Sequence, residues 1–404
     1  MAQALIPVAE ARARILAMLT PTAAEPVMLA NAAGRVLAED VVARRTQPPA
    51  DLSAMDGYAV RAADVASVPA RLRVVGEAPA GGAYGGTLGE GEAVRIFTGA
   101  PVPQGADAIV IQEDTERYGD IVIARESAVP GRNIRRAGLD FKEGVTGLVS
   151  GRKLSPADIA FAAAMNQPSL FLHRRPRVAF FSTGDELVRP GMPIGPNQIV
   201  SSNNDGLAAL IVEAGGVPLD LGIAPDRRET IRATARKAIG ADMLVTLGGA
   251  SVGDHDLVQS ALAEDGLDID FWRIAMRPGK PLMFGRYRNI PMLGLPGNPV
   301  SAQVCALLFL VPALTKLQGG EATAPHTTLA RLGAPLAEND RREDYLRASI
   351  DHVPGEIPVA TPFPKQDSSM LSLLSAADCL IVRPPHAPAA EVGEMVSVIP
   401  LRQH

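Results

Sequence analysis

The segment Met243-Leu244-Val245-Thr246-Leu247 is an apolar run of buried-strand length, and it leads directly into the loop Gly248-Gly249-Ala250-Ser251-Val252-Gly253. A helix is predicted to follow from about Asp256. Glycines let a backbone approach an oxyanion without an intervening Cβ, and a helix N-terminus favours negative charge. The loop lacks both the Lys-Ser/Thr ending of a P-loop and the GxGxxG pattern of a dinucleotide site. On its own it is equally consistent with a phosphate-binding loop and with a tight turn that binds nothing.

Strands and helices alternate on both sides of this junction, which indicates an α/β domain with parallel strands and right-handed crossovers. The predicted strands are 178–182, 217–223, 243–247, 271–276, 282–285 and 291–295, and the predicted helices are 205–214, 229–239 and 300–317. In such a sheet, ligands bind beyond the carboxyl ends of the strands. The loops that follow these strands are therefore the first place to look for a site.

The flanking regions have a different character. From about Pro48 to Gly138 the composition shifts toward Gly, Pro and short β-type runs, which predicts a small all-β domain with strands at 72–75, 93–97, 108–111 and 121–124. An amphipathic helix is predicted over 8–19 and a second helix over 154–164, capped by Ser155. The mostly β-type tail after Gly320 predicts a further small domain.

Composition excludes several classes of protein. With 404 residues, a net charge of −5 and a pI near 5.8, the chain has no concentrated basic surface for nucleic acid. The run Arg132–Arg136 is better explained as a solvated face or a contact to a small anion. Cys305 and Cys379 have no metal or disulfide spacing, and neither a signal peptide nor a membrane-spanning run is found. A cytoplasmic protein without nucleic-acid or membrane partners is expected.

Acidic side chains follow several of the predicted strands. Asp185 and Glu186 come after the first strand, Asp226 after the next, and Asp254 and Asp256 after the glycine loop. Carboxylates that face a phosphate need a cation to offset their repulsion, and Mg²⁺ suits these ligands. Each acid taken singly could instead cap a helix, and for Asp226 this alternative is strong.

Two further loops contain candidate anion contacts. Lys280 lies in Arg277-Pro278-Gly279-Lys280-Pro281, where the prolines and glycine fix its position more rigidly than a solvated lysine needs. The loop Pro296-Gly297-Asn298-Pro299 precedes Ser301 and the long helix, so free N–H groups there could face an anion. A stiff turn into the helix is the alternative.

Six motifs in order resemble the molybdopterin molybdenumtransferase family, to which the gephyrin E domain belongs. They are Ser53–Ala59 (SAMDGYA), Thr98–Pro103 (TGAPVP) with Gly105–Ala108 (GADA), Ser182–Leu187 (STGDEL), Gly248–Gly253 (GGASVG) with Asp256, Pro278–Pro281 (PGKP), and Pro296–Ser301 (PGNPVS). The similarity is colinear over essentially the whole chain, and the ordered set is far more specific than any one motif.

This resemblance implies an enzyme that takes adenylylated molybdopterin and molybdate, cleaves the adenylate and inserts molybdenum with Mg²⁺ present. It implies a homodimer with an active-site cleft between subunits, and transient contacts with the molybdopterin adenylyltransferase and with downstream cofactor-modifying proteins. The implied domains are an N-terminal linking segment (1–47), an inserted β domain (48–138), a second linking segment (139–175), the α/β molybdopterin-binding domain (176–320) and a C-terminal β-barrel (321–404).

The resemblance also assigns site residues by motif. The implied catalytic residues are Asp56, Thr98, Asp140, Glu186, Arg277 and Lys280. The implied molybdopterin-binding residues are Gly248, Gly249, Ser251, Gly253, Asp226, Asp256, Pro296, Gly297, Asn298, Ser301, Arg347 and Ser368. Asp226 and Asp256 are the implied metal ligands, and Lys280 resembles residues that handle molybdate.

The chain departs from the family pattern at two positions. Arg277 stands where the family often has lysine, and a planar guanidinium binds oxyanions with a different geometry. Asp367-Ser368-Ser369 replaces the usual Gly-Ser-Gly, and an acid beside an oxyanion would repel it unless the carboxylate is turned away.

Two other functions compete with the insertase. A scaffold or carrier that binds molybdopterin without turnover is one, because the gephyrin E domain also clusters receptors; the lack of an adenylating domain or long linker before residue 1 disfavours it. Another enzyme, such as a nucleotide pyrophosphatase or the adenylyltransferase of the preceding step, is the second. The β domain and the C-terminal domain favour the insertase, because the adenylating module needs neither.

Overall fold

The computed structural model describes residues 5–249, 257–352 and 354–402. These residues form two compact units. The smaller unit contains residues 26–33 and 39–170, and the larger unit contains 34–38, 171–404 and the segment before residue 26, as far as they are described. The domain boundaries expected from the sequence stay a prediction.

The smaller unit is mainly β-structure with one α-helix, Pro156–Ala164, whereas the helix Val8–Ala17 belongs to the larger unit. In chain order, the elements of the first 173 residues are α1 (Val8–Ala17), β1 (Ala24–Met28), β2 (Val41–Val42), β3 (Leu52–Ser53), β4 (Gly57–Val60), β5 (Ala70–Ala78), β6 (Glu92–Ile96), β7 (Ala108–Ile111), β8 (Thr115–Tyr118), β9 (Ile121–Ala124), β10 (Ile134–Arg135), β11 (Thr146–Leu148), α2 (Pro156–Ala164) and β12 (Ser169–His173). Six strands form one sheet in the order β7-β4-β6-β5-β9-β8. Tyr58 and Val60 pack in one apolar cluster and Ala59 in another, so both faces of this sheet are covered.

Helix α2 starts as its sequence predicts. The Ser155 hydroxyl accepts the N–H of Asp158 at 3.2 Å, and the Asp158 carboxylate accepts the N–H of Ser155 at 2.8 Å, which forms a capping box with Pro156 in the first turn. The hydrogen bonds that the Asp158 carboxylate accepts, first from the Ser155 N–H and then from the Ser155 hydroxyl, lower the pKa of Asp158. The predicted helix over 154–164 is therefore confirmed almost to the residue.

The larger unit holds an α/β domain followed by a barrel. Its elements are β13 (Arg177–Thr183), β14 (Leu187–Val188), β15 (Ile199–Val200), α3 (Asn203–Glu213), β16 (Val217–Ala224), α4 (Arg228–Arg236), β17 (Met243–Leu247), α5 (Leu257–Ala263), β18 (Leu267–Trp272), β19 (Met276–Arg277), β20 (Met283–Tyr287), β21 (Ile290–Leu295), α6 (Pro299–Cys305), α7 (Val311–Leu317), β22 (Thr328–Leu332), β23 (Glu343–Asp351), β24 (Val359–Pro362), α8 (Leu371–Ala376), β25 (Cys379–Arg383) and β26 (Met395–Pro400).

The α/β sheet has the strand order β16-β13-β17-β21-β20-β18. The first four strands are parallel, as the sequence predicts. Strands β20 and β18 extend the sheet in antiparallel fashion, because β20 joins β21 through the two-residue turn Arg288-Asn289. One apolar cluster, which includes α1, α3, α6 and α7, covers one face, and a second cluster with α4 and α5 covers the other.

The strand predicted over 271–276 is wrong in its bounds. Trp272 ends β18, and Arg273 follows with a φ of +99°. Met276 and Arg277 form the separate strand β19, which pairs with β23 of the C-terminal region. An apolar run gives no periodicity from which this change of partner could be predicted.

A continuous helical segment follows β21. Helix α6, a π-helical turn over Ala306–Leu310 and α7 together run from Pro299 to Leu317. By length and composition this segment would suffice to cross a membrane, but 72% of it is buried inside the fold. Its apolarity is that of a core helix.

The C-terminal region forms a closed barrel of five strands. Neighbouring strands follow the order β23-β24-β22-β26-β25, and β25 pairs back with β23. Its interior contains Ala330, Leu332, Ala348, Ile381 and Val398, all nearly inaccessible. The predicted C-terminal β-barrel is confirmed.

Candidate functional site

Gly248 and Gly249, the first two residues after β17, pack closely against neighbouring residues. Gly248 and Gly249 have φ angles of +87° and +66°, in the left-handed region. A Cβ at Gly249 would overlap the side chain of Val258, and a Cβ at Gly248 would lie 3.2 Å from the Thr183 carbonyl oxygen. A Cβ at Gly297 would lie 3.5 Å from the Gly248 Cα. The loops after β17 and β21 therefore meet through glycine backbones at this edge of the sheet.

Three acids lie together at the ends of the neighbouring strands β13 and β16. The Asp226 N–H donates to Asp185 Oδ1 at 3.2 Å. Burial first, and then the negative charges of Asp185 and Glu186, raise the pKa of Asp226. A carboxylate that resists ionisation beside two others is chemically suited to a cation.

The predicted metal site is only partly within the described residues. Asp256, Ser251 and Gly253 lie outside them. Across 5–249, 257–352 and 354–402, no group of three or more His, Cys, Asp or Glu side chains is arranged to hold a metal ion. The oxygen donors of Asp185, Glu186 and Asp226 fit a hard cation in kind. The assignment of Mg²⁺ to Asp226 and Asp256 stays a prediction.

The start of α6 is held by a loop of the barrel. Asn298 precedes the helix, and its amide donates to Ser368 Oγ at 2.9 Å. The Val300 N–H donates to the Ser368 carbonyl oxygen at 3.1 Å. Pro296 and Ser301 are buried, Ser301 at 5% exposure. Ser368 therefore lies at the N-terminus of α6, in contact with Asn298, which the family resemblance also assigns to molybdopterin binding.

Arg277 and Lys280 differ in their pairing. The Arg277 guanidinium forms an ion pair with Asp344, lies 3.8 Å from Asp340 and donates to Asn339 Oδ1 at 3.3 Å. Burial raises the pKa of Asp344, whereas the hydrogen bonds from Arg342 hold the pKa of Asp340 far below its usual range. Arg277 is therefore committed to neighbouring acids.

The Lys280 side chain is half-buried. Among the residues that the structure describes, no hydrogen bond or ion pair to this ammonium is formed; only its carbonyl oxygen is engaged, by the Ile274 N–H at 3.0 Å. A cation on a Pro- and Gly-flanked backbone, without a partner in the described part of the chain, suits an anionic ligand.

Arg347 organises the barrel loop that contains Ser368. It is 1% exposed, and its guanidinium donates to Gln366 Oε1 at 3.2 Å, to the Asp367 carbonyl oxygen at 2.9 Å and to the Met370 carbonyl oxygen at 3.2 Å. Burial lowers the pKa of Arg347. These bonds are made to the loop itself, and the role of Arg347 in binding molybdopterin stays a prediction.

The additional acid of this loop, Asp367, is hydrogen-bonded to Ser369. The Asp367 carboxylate accepts the Ser369 hydroxyl at 2.6 Å and the Ser369 N–H at 2.8 Å. These two bonds lower the pKa of Asp367. The departure from the family pattern is therefore accommodated locally, because the carboxylate has its own donors.

In the smaller unit, Asp56 and Thr98 are in direct contact. Asp56 Oδ1 accepts the Thr98 N–H at 2.7 Å and the Thr98 hydroxyl at 2.8 Å, and these bonds lower the pKa of Asp56. Nearby, the Arg95 guanidinium lies 4.5 Å from the Phe97 ring centroid and donates to the Gly57 carbonyl oxygen at 2.8 Å. Both members of the pair are exposed. The turn-rich stretches that contain them could not be assigned from the residues alone.

Asp140 is also exposed and belongs to the smaller unit. Its backbone N–H donates to the Gln47 carbonyl oxygen at 3.0 Å. Its predicted catalytic role stays a prediction.

Sequence analysis missed two adjacent asparagines at the start of α3. The Asn203 amide donates to the Gly297 carbonyl oxygen at 2.7 Å. Asn204, 3% exposed, lies among Ser182, Ser201 and Asp220. The polar run Ser201–Asn204 directly precedes the helix predicted over 205–214 and was the available signal.

Comparison with known proteins extends over nearly the whole chain. Three family descriptions match: "MoeA N-terminal region (domain I and II)" over residues 6–166, "Probable molybdopterin binding domain" over 179–316 and "MoeA C-terminal region (domain IV)" over 329–401. The chain belongs to the molybdopterin molybdenumtransferase family. The prediction made from its six motifs is confirmed.

Individual relatives of this family agree with that assignment. The chain is 39% identical to the molybdopterin molybdenumtransferase of a Nostoc species, over 93% of this chain and 88% of the relative. It is 35% identical to that of Haemophilus influenzae, over 97% of both. A crystal structure of the molybdopterin biosynthesis moea protein of Pyrococcus horikosii is similar with a TM-score of 0.86 and 31% identity, over 99% of this chain and 100% of that one.

Proposed function

We propose that this protein is a molybdopterin molybdenumtransferase, which inserts molybdenum from molybdate into adenylylated molybdopterin and releases AMP. Two curated relatives with this name span 93% and 97% of the chain. One observation carries the proposal: the loops after β17 and β21 meet through Gly248 and Gly297, while Asp185 and Asp226 meet beyond β13 and β16. These strands are adjacent and parallel, so their loops share one edge of the sheet.

The glycine loop and the start of α6 have the chemistry to bind the molybdopterin phosphate. Gly248, Gly249 and Gly297 expose backbone without a Cβ, and the helix dipole of α6 favours an anion. We assign Ser251 and Gly253 to the same loop on the family motif. Asn298 and Ser301 complete the proposed contacts, with Ser368 fixed against Asn298.

Lys280 is the proposed molybdate ligand, because its ammonium lacks a partner among the described residues. Arg277, with its charge balanced by Asp344, has a positioning role instead. Because Arg277 directly precedes the Pro278-Gly279-Lys280 turn, its ion pair holds that turn against the barrel. The Lys280 ammonium is thereby preorganised, so it need not move when an oxyanion binds.

The proposed cation site uses Asp226 and Asp256. Mg²⁺ bound there would offset the charge of the phosphoanhydride that breaks. The residues of this chain hold the two substrates in place, keep Asp185, Glu186 and Asp226 facing the cation, and provide N–H donors for the oxyanions. Catalysis is then mainly positioning and electrostatic stabilisation.

The remaining assignments rest on the family resemblance. We propose a cytoplasmic homodimer in which Asp56, Thr98 and Asp140 also belong to the catalytic set, with transient contacts to the adenylyltransferase that supplies the substrate and to downstream cofactor-modifying proteins. The direct contact of Asp56 with Thr98 supports a shared role for that pair. A light-scattering mass of one 42.3 kDa chain would count against the dimer.

The decisive experiment mixes purified protein with adenylylated molybdopterin, Mg²⁺ and a molybdate titration. Release of AMP and reconstitution of a cofactor-free molybdoenzyme are followed in parallel. Molybdate-dependent release together with active reconstitution is the expected result. Tight binding of the pterin without turnover would overturn the proposal in favour of a scaffold or carrier.

A further inference from the structure

A β-bulge shifts the register of β16 just before the acid cluster. Phe180 pairs with Asp220, but Ser182 pairs with Ile223, so β16 contains one more residue than β13 over this step. Gly222, within the bulge, has a φ of +99°. A bulge re-aims the side chains beyond it. The position of Asp226 relative to Asp185 therefore depends on this irregularity.

Asp220 holds the bulge from within. Its Oδ1 accepts the Gly222 N–H at 2.8 Å and the Asn204 amide at 3.0 Å, and its other oxygen pairs with Arg189 at 2.9 Å. Burial opposes ionisation of Asp220, but the bonds from Arg189, Gly222 and Asn204 together lower its pKa. The carboxylate thus has donors for both oxygens.

Asn204 links the bulge to the segment that carries the other two acids. Its Oδ1 accepts the hydroxyl of Ser182, at the end of β13, and the hydroxyl of Ser201 at 3.1 Å. The Ser201 N–H donates at 2.8 Å to the carbonyl oxygen of Val188, two residues after Glu186. The buried Asn204 amide therefore connects β13, β16 and Ser201, which pairs with Val188 in the segment after Glu186.

We infer that Asn204 and Asp220 are positioning residues that set the register at which β16 delivers Asp226 to Asp185 and Glu186. This inference rests on the proposed function, because Asp226 is one of the two residues of its proposed cation site. The contacts that define it hold in the protein regardless of the reaction. Its two consequences, one structural and one catalytic, are therefore measured separately.

The structural test is hydrogen exchange of the segment 217–226 in Asn204→Ala. Loss of the amide removes the anchor of Asp220 and of the bulge, so exchange in this segment should rise at least about tenfold. The matched control is Gln318→Ala. Gln318 donates to the Ala214 carbonyl oxygen at 2.8 Å at the far end of the same helix, so its loss loosens α3 away from the bulge. Unchanged exchange at 217–226 in Asn204→Ala, or an equal rise in both variants, would overturn the inference.

The catalytic test separates kcat from KM in molybdate-dependent AMP release. Asn204→Ala is expected to lower kcat about tenfold or more with KM for the adenylylated pterin changed less than about twofold, while Gln318→Ala lowers thermal stability and leaves kcat within about twofold. Equal effects of the two variants on kcat would leave Asn204 a merely structural residue. No AMP release by the unmodified protein would refute the proposed function, whereas the exchange result would still decide the positioning.

A variant that adds a negative charge provides a further check. Asn204→Asp places a carboxylate about 3 Å from Asp220, where the two negative charges repel each other. The kcat of AMP release should therefore be lower in Asn204→Asp than in Asn204→Ala. In the Asp220→Asn background, Asn204→Asp should be no worse than Asn204→Ala, because the repulsion is absent. An equal excess loss in both backgrounds would exclude the Asn204–Asp220 contact as the cause.

Discussion

Replacement of Arg347 by methionine should destabilise the barrel and release the loop that contains Ser368. The side chain is 1% exposed and makes three hydrogen bonds to that loop. Gln366 Oε1 keeps its bond from the Arg347 main-chain N–H at 3.0 Å, so only the carbonyl oxygens of Asp367 and Met370 lose their charged donor entirely. Bonds from a charged group contribute roughly 1.5–3 kcal/mol each, and the desolvation of the guanidinium offsets part of this.

The expected loss for Arg347→Met is therefore about 2–4 kcal/mol in the free energy of unfolding. Urea denaturation followed by far-UV circular dichroism measures it. Arg331→Met is the matched control, because Arg331 is exposed on β22 of the same barrel, and among the described residues its side chain donates only to the Gly393 carbonyl oxygen, at 3.3 Å. It should cost no more than about 0.5 kcal/mol.

Hydrogen exchange over 366–370 tests the local part of the same prediction. Exchange should accelerate in Arg347→Met, and the protection of the Val300 amide should fall with it, because that N–H donates to Ser368. If Arg347→Met and Arg331→Met differ by less than about 0.5 kcal/mol and the loop exchanges as before, Arg347 does not organise the loop.

Lys280→Ala should raise the molybdate concentration needed for half-maximal AMP release while pterin affinity, measured by calorimetry, stays nearly unchanged; an equal loss of pterin affinity would contradict the division of roles. Gly249→Ala combines a left-handed backbone with overlap on Val258, so its thermal unfolding should show a loss of about 2–4 kcal/mol. Gly240→Ala, with a φ of +85° and no atom within 4 Å, should show only the backbone part, about 1 kcal/mol, and equal losses would exclude crowding at Gly249. Burial, and then Asp265, raise the pKa of Tyr287 to about 12, so the folded protein binds the phenol proton more tightly than the unfolded chain does. This difference contributes up to about 2 kcal/mol to the free energy of unfolding. The contribution is complete below pH 10 and is lost as the pH rises toward 12. Tyr287→Phe should flatten the fall in stability over this range, and an unchanged slope would assign it to other groups.

Local patterns were enough to predict many elements in both units of the chain. The strands 108–111, 121–124 and 243–247 were predicted with the bounds that the structure has, because β-branched runs bordered by turn residues depend little on distant partners. The capping box of α2 is equally local. The strand 271–276 was not predicted correctly, because β19 exists only through its pairing with Glu343 and Asp344.

The candidate site divides in the same way. Loops after parallel strands meet at one edge by topology, so the meeting of the Gly248 and Gly297 loops follows from the strand order. The pairing of Arg277 with Asp344 crosses 67 positions of sequence, and no local pattern carries it. The role of Asn204 in α3 could not be predicted for a related reason, because its partners Ser182 and Asp220 lie on β13 and β16.

The pairing of β19 with β23 determines whether the larger unit can be shortened. A chain that ended before the barrel would leave the backbone of Met276 and Arg277 without its parallel partner strand. The same cut would deprive Arg277 of Asp344 and the Val300 N–H of its acceptor at Ser368. Unpaired strand edges invite association with other chains. The α/β domain of this protein is therefore expected to aggregate when it is produced without the barrel, and swapping the barrel with that of a relative would require transferring the segment 273–281 as well.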